Sequence, residues 1–162
     1  MNLILFERQQ ARYQLPPDDP RRDHIRRVLQ MRLGDRVYIG AVNGPRALAV
    51  IARDDDLTGM TLEPAWEPEP PRPSPITLLV GLPRPQTARR VLFESACQGA
   101  AALHLFQADK GEPSYRHSRL WISGEWQRHQ REGAEQAFAT TLPEVVHHSS
   151  LAVMLEHLLE IE

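Results

Sequence analysis

Cysteine and lysine are almost missing from this chain of 162 residues, which has one thiol, Cys97, and one lysine, Lys110, among its 19 basic side chains. A lone thiol makes no internal disulfide, and without metal-type neighbours it shows no zinc pattern, so Cys97 reads as a small buried side chain and redox chemistry is set aside. Long apolar runs are absent too. Nothing approaches the ~20 residues that span a bilayer, and the opening MNLILFERQQ is too short an apolar block for a secretory signal, so the expectation is a soluble cytoplasmic protein without a membrane partner. Three phosphate or acyl-transfer signatures are also lacking: a Walker loop, a G-x-G-x-x-G turn and a G-x-S-x-G elbow. The formal net charge of −2 excludes a uniformly basic nucleic-acid binder and leaves room for a local basic patch.

What the chain does have is arginine, whose planar fork suits phosphate oxygens and stacks on bases. In RDHIRRVLQMRLGD, Arg22 to Asp35, a short amphipathic helix is set among arginines and closed by a turn at Gly34. Asp18 or Asp19 can cap it, Pro20 suits its first turn, and Ile25, Val28 and Leu29 form an apolar stripe at spacings of three and four. Arg21, Arg22, Arg26, Arg27, Arg32 and Arg36 then fall on the other faces and the next strand. They read either as an RNA-binding surface or as an ordinary solvated charged face.

Pro64 to Pro75, EPAWEPEPPRPSP with its preceding glutamate, has the proline density that ends regular structure, and it divides the chain. Before it, NLILF, Arg36–Ala41, Arg46–Ala52 and Thr58–Glu63 read as strands separated by Asn43-Gly44-Pro45 and Asp54-Asp55-Asp56, a small β-barrel carrying one helix. After it come a strand at Ile76–Leu82, a helix from about Gln86 to Cys97, a strand at Leu103–Phe106, a longer helix ending near Gln136, a short strand at Val145-Val146, and a last helix from Ser149. Strands alternating with helices imply a parallel sheet with crossover connections, and hence an α/β fold class.

Candidate chemistry in this second part is sparse. Gly81-Leu82-Pro83-Arg84-Pro85 lies where a strand passes into a helix, but its two prolines remove backbone donors. Arg84, Arg89 and Arg90 can instead hold a phosphate by side chain, or simply line an exposed helix start. Arg128 and Arg131 sit on a polar helix whose end can present the Gln136 amide to a base edge or backbone. His117, His129, His147, His148 and His157 show no H-x-x-x-H spacing with a nearby acid, so no metal is expected and they read as surface or capping histidines.

Three motifs in order carry a resemblance that runs the whole length. His24-Ile25-Arg26-Arg27-Val28-Leu29-Gln30-Met31 with Gly34-Asp35, the segment ITLLVGLPRPQTARRVL, and Ala134-Glu135-Gln136-Ala137 through Leu142-Pro143-Glu144-Val145 are similar to those of the small-subunit ribosomal RNA uridine-N3 methyltransferases. These form the RsmE-like branch of the knotted SPOUT superfamily. The resemblance implies a PUA-like RNA-binding β-barrel over residues 1–66, a proline-rich linker over 67–75, and the first part of a SPOUT-type parallel-sheet methyltransferase domain over 76–162. It implies methyl transfer from S-adenosylmethionine to N3 of a uridine in 16S rRNA, with the small ribosomal subunit or its RNA as partner, and a homodimer for the full-length family member. The RNA-binding residues it suggests are His24, Arg26, Arg27, Arg32, Arg84, Arg89, Arg90, Arg128, Arg131 and Gln136.

Departures from the family pattern shape these expectations. Phe138, Ala139, Thr140 and Thr141 stand where an arginine or asparagine usually follows the Glu-Gln pair, and the basic residue usual near Gly111 to Ser114 is not clear. The family's Gly-Pro-Glu-Gly-Gly loop and Leu-Arg-x-Glu-Thr segment would lie beyond Glu162. The cofactor pocket is therefore expected there, the catalytic group is unassigned, and this chain alone is expected to be inactive. The alternative is a non-enzymatic RNA-binding protein or a degenerate fragment that keeps only the barrel.

Overall fold

Apolar residues two apart build the first sheet, because alternate strand residues face one side. The computed structural model describes residues 3–161, and the chain divides into two units, Met1–Pro71 and Arg72–Glu162. In the first, β1 (Ile4–Phe6), β2 (Tyr13–Leu15), β3 (Arg36–Ala41), β4 (Arg46–Asp55) and β5 (Gly59–Trp66) form a curled half-barrel in the order β1-β3-β4-β5-β2. β1 runs parallel to β3 and the other pairings are antiparallel. The Phe6 and Tyr13 rings, 3.9 Å apart, bring the two edge strands together. Ile4, Leu15, Val37, Ile39, Ala49, Ile51, Met60 and Leu62 fill the interior.

β2 was not foreseen, since three residues of which one is glutamine give little pattern. Tertiary bonds hold it: the Tyr13 hydroxyl donates to the Arg8 carbonyl at 2.6 Å, and the Trp66 indole N–H donates to the Gln10 carbonyl at 2.8 Å. Gly59, with φ +87°, is required where β5 begins, because a Cβ there would lie 2.0 Å from the Leu15 carbonyl oxygen. The strand expected at Thr58–Glu63 is longer and runs into the proline-dense stretch. β5 continues through Pro64 to Trp66, while β2 pairs only with Met60–Leu62, so Pro64 lies on a stretch with an open edge, where proline is tolerated.

α1 (Pro20–Asp23) is capped by Asp19, whose carboxylate accepts from the Arg21 amide at 2.9 Å. One wide π-type turn, His24–Val28, follows, with the Leu29 amide donating to the His24 carbonyl five residues back. The extra residue turns the apolar stripe. Ile25 is fully buried and Leu29 and Met31 pack on the core, but Val28 is 64% exposed, against the expectation of a simple 3.6-residue period.

In the second unit, β6 (Ser74–Gly81), β7 (Ala100–Phe106) and β8 (Glu144–His148) form the expected parallel sheet in that order. α2 (Pro85–Cys97) is the first crossover helix, and Leu82, Ala88, Leu92, Leu103, Leu105 and Leu120 make the core. The long helix anticipated before Gln136 is broken. A 3-10 turn (Pro113–His117), α3 (Arg119–Ile122) and α4 (Glu125–Gln136) replace it, because Gly124 takes φ +74° between α3 and α4. α5 (Leu151–Ile161) packs on β7 and β8. Among the described residues, no helix is long and apolar enough to cross a membrane.

Candidate nucleic-acid interface

The arginine run of the first unit is organised around acids 30 residues away in sequence. β4 alternates inward at Ala47, Ala49 and Ile51, and a bulge between Ile51 and Arg53 then shifts the register by one. Without it the next inward position would be Arg53; with it, Asp54 comes inward toward α1. Arg22 is 5% exposed, so it is no surface residue. Its Nε donates to Asp54 at 2.9 Å, Nη1 to the Pro17 carbonyl at 3.0 Å, and Nη2 to the Asp55 carbonyl at 3.1 Å and to Asp56 at 2.9 Å. These bonds satisfy most of the guanidinium fork that burial would otherwise penalise.

One turn further on, Arg26 reaches the same acids, with Nη1 2.9 Å from Asp56 Oδ1 and Nε 3.4 Å from Asp54 Oδ2. Arg27 pairs with Asp23 at 2.8 Å, four residues back, and the Arg32 amide donates to Asp35 at 2.7 Å. Arg22, Arg26, Arg27, Arg32, Asp54 and Asp56 help line a cleft of about 700 Å³. Hydrogen bonds from Arg22 and then Arg26 hold the Asp56 carboxyl below its ordinary range, and hydrogen bonds to Asp56 and then Asp54 hold the Arg22 guanidinium above its own. His24 does not line the cleft. Its Nε2 is buried with no hydrogen-bond partner among the described residues, and burial lowers its pKa.

The candidate residues of the second unit do not gather in the same way. Arg84 is exposed at the start of α2, its Nε 3.3 Å from the Thr87 hydroxyl, and Arg90 is exposed, 3.9 Å from Glu94. Arg89 of α2 donates to Glu125 of α4 at 2.7 Å, and Arg128 lies 3.7 Å from the same carboxylate. Arg89, then His129, pulls the Glu125 carboxyl down to about 2. Arg131 is half-buried on α4, and Gln136 is its exposed last residue. The buried amide of this helix is Gln130, which donates to the Pro143 carbonyl at 2.7 Å.

Two groups escaped the reading of the sequence. Asp54 and Asp56 look like turn residues, and only the β4 bulge and the β4–β5 turn carry them to the arginines. His104 and His148, expected or passed over as ordinary surface positions, are buried, with His104 Nδ1 2.9 Å from His148 Nε2 and the rings stacked. His157 of α5 lies against both. Among the described residues, no group of three or more His, Cys, Asp or Glu is arranged to hold a metal ion.

Residues 70–161, the sheet unit and the strand of chain leading into it, match the family model described as an RNA methyltransferase domain. The chain belongs to this RNA methyltransferase family. It is 32% identical over 146 residues to the ribosomal RNA small subunit methyltransferase E of Treponema pallidum, a match covering 88% of this chain and 55% of that protein. With the ribosomal RNA small subunit methyltransferase E 1 of Borreliella burgdorferi the identity is 23%, covering 90% and 60%. The chain thus spans 55% to 60% of the length of these curated relatives. In fold it is similar to a ribosomal RNA small subunit methyltransferase E from Neisseria gonorrhoeae bound to S-adenosyl methionine, with TM-score 0.67, 18% identity, and 90% and 61% of the two chains covered. A Legionella pneumophila methyltransferase in complex with the cofactor SAM gives TM-score 0.66 at 15% identity, covering 96% and 65%. The α/β architecture and the RsmE-like relationship expected from the sequence hold.

Proposed function

We propose that this protein methylates ribosomal RNA of the small subunit at N3 of a uridine, with S-adenosylmethionine as donor and with the Arg22–Asp56 cleft as an RNA-holding surface. The observation that carries this reading is the pairing, on one chain, of an arginine-lined cleft in residues 1–66 with a sheet unit that belongs to the RNA methyltransferase family. The relatives support the reaction class, and two solved structures similar in fold to this chain, each with S-adenosylmethionine bound, support the cofactor. The cleft supplies the physics of RNA binding: Arg26, Arg27 and Arg32 are half to fully exposed cations that can contact phosphates, positioning the strand without reading its bases.

The described residues at the carboxyl ends of β6, β7 and β8 do not fit the donor alone. The Leu82 amide is used by the Phe106 carbonyl and the Gln107 amide by the His148 carbonyl, and Pro83 and Pro85 have no N–H, so no cradle of free amides forms. No catalytic step is assigned to them. For the second unit we assign RNA contacts to Arg84, Arg90 and Gln136, which are exposed, and to Arg89, Arg128 and Arg131 on α2 and α4.

N3 methylation removes a Watson–Crick donor, so it stops reverse transcriptase at the modified base. With a protein spanning the full length of the curated relatives, incubation with isotope-labelled donor and small-subunit RNA, followed by primer extension, is expected to give labelled RNA with a stop at one uridine, while the 162-residue chain alone is expected to transfer no label; label elsewhere, on protein, or transferred by the chain alone rejects the reading. The cleft is tested separately. The double variant Arg26→Glu, Arg27→Glu is expected to weaken RNA binding and to flatten the slope of log K against log salt by roughly 2, and unchanged binding rejects the cleft as the contact surface.

A further inference from the structure

Two guanidinium groups converge on one exposed carboxylate. Asp56 Oδ1 accepts from Arg22 Nη2 and from Arg26 Nη1, each at 2.9 Å, yet the Asp56 side chain is 83% exposed. Asp54 touches the same two arginines from a different situation. Its side chain is 11% exposed and its backbone is paired in the β4–β5 ladder opposite Met60. Two guanidinium charges therefore face one built-in carboxylate, and the excess positive charge is balanced by a second carboxylate lying in solvent.

The turn that carries Asp56 holds its shape without that side chain. Asp55 fixes it by accepting from the Leu57 amide at 3.0 Å, the Thr58 amide at 2.7 Å and the Thr58 hydroxyl at 2.6 Å. Asp56 can rotate away while the backbone stays in place. What it would vacate is a two-donor anion site with a buried carboxylate behind it and the 700 Å³ cleft in front.

A phosphodiester matches that vacancy in charge and in its ability to take a charge-assisted bond from each of two guanidiniums. We propose that Asp56 is an internal occupant of a phosphate site made by Arg22 and Arg26, and that a backbone phosphate of RNA displaces it on binding. This rests on the cleft being the RNA surface. The consequence is selectivity: an RNA that presents a phosphate at the right place in the cleft replaces the carboxylate, and one that cannot is left facing a neutralised site.

The test is binding of a fluorescein-labelled RNA stem-loop, followed by anisotropy across a KCl series, for the wild type, Asp56→Asn and Asp18→Asn. Asp18 is exposed in the same unit and outside the cleft, so its variant carries the same change in net charge. Asp56→Asn is expected to bind on the order of fivefold more tightly than Asp18→Asn, with a salt slope steeper by about 1. Equal affinities for the two variants, or weaker binding by Asp56→Asn, overturn the proposal. Asp56→Ala serves as the second variant, and melting curves confirm that each remains folded. If instead wild type and the Arg26→Glu, Arg27→Glu variant bind alike, the RNA reading of the cleft fails, an outcome separate from equality of the two aspartate variants.

Discussion

Arg22 shows how one side chain ties the proposed RNA surface to the fold beneath it. Its buried guanidinium bonds two carboxylates and two backbone carbonyls, so removing it leaves the largely buried Asp54 with the longer 3.4 Å contact to Arg26 in place of its 2.9 Å bond. Arg22→Met is expected to destabilise the first unit by about 3 kcal/mol, as loss of one partner of a buried pair does, measured by urea unfolding; a change below about 1 kcal/mol would show that the pair is not coupled to folding. The histidine pair gives a second prediction. His104 and His148 face each other at 2.9 Å, an arrangement in which one ring donates and the other accepts, so protonating both would set two N–H groups against one another. Burial lowers both pKa values, with the neighbouring histidines adding to it. In the unfolded chain each titrates near ~6.5. Stability from this pair is thus complete above that pH and is lost as pH falls below it toward the folded values, because the unfolded state then binds more protons. Thermal melting points are expected to drop between pH 7 and pH 5, and His104→Gln with His148→Gln is expected to remove much of that drop.

Among the elements, α2 and α4 approach most closely where α4 has no side chain. A Cβ on Gly133 would lie 2.2 Å from the Phe93 carbonyl oxygen, so Gly133→Ala must push the helices apart. The expected cost is about 2 kcal/mol, read by chemical denaturation, despite the higher helix propensity of alanine; a stabilised variant would contradict the packing. The Arg89–Glu125 bond clamps the same pair of helices. Glu125 titrates near 2, so its contribution is present above its unfolded value of 4.5 and is lost as pH falls toward 2, a window below that of the histidines. The π-type turn shows why an element can be located but not drawn from sequence. Spacing places an amphipathic turn at His24–Val28, and Asp19 and Pro20 mark its start, but a five-residue hydrogen bond rather than a four-residue one sends Val28 outward.

At the scale of the whole molecule, the two units differ in how far pattern alone leads. The second is almost entirely readable, because parallel strands are continuous apolar runs and the crossover helices between them have clear periods. Its strands begin within a few residues of where periodicity puts them, and the breaks at Ser118 and Gly124, which divide the expected long helix, are what periodicity hides. The first unit is harder. Its short β2 is held by tyrosine and tryptophan bonds to distant carbonyls, and its β5 runs past a proline because no strand covers that edge. Both facts depend on what lies alongside, which no local window contains. The candidate site divides in the same manner: the arginines announce themselves, and the aspartates that hold them do not.

Local chemistry was enough to mark a basic turn and a parallel α/β unit, since capping and periodicity are properties of neighbouring residues, and three motifs in order carried the resemblance to a family of RNA methyltransferases. The pairing of Arg22 and Arg26 with Asp54 and Asp56, and the stacking of His104 on His148, needed the folded chain. A β-bulge and a sheet register bring together groups some 30 to 44 residues apart, and the hydrogen bonds that shift the charge states of Arg22 and Asp56, like the burial that shifts those of His104 and His148, exist only in the folded chain.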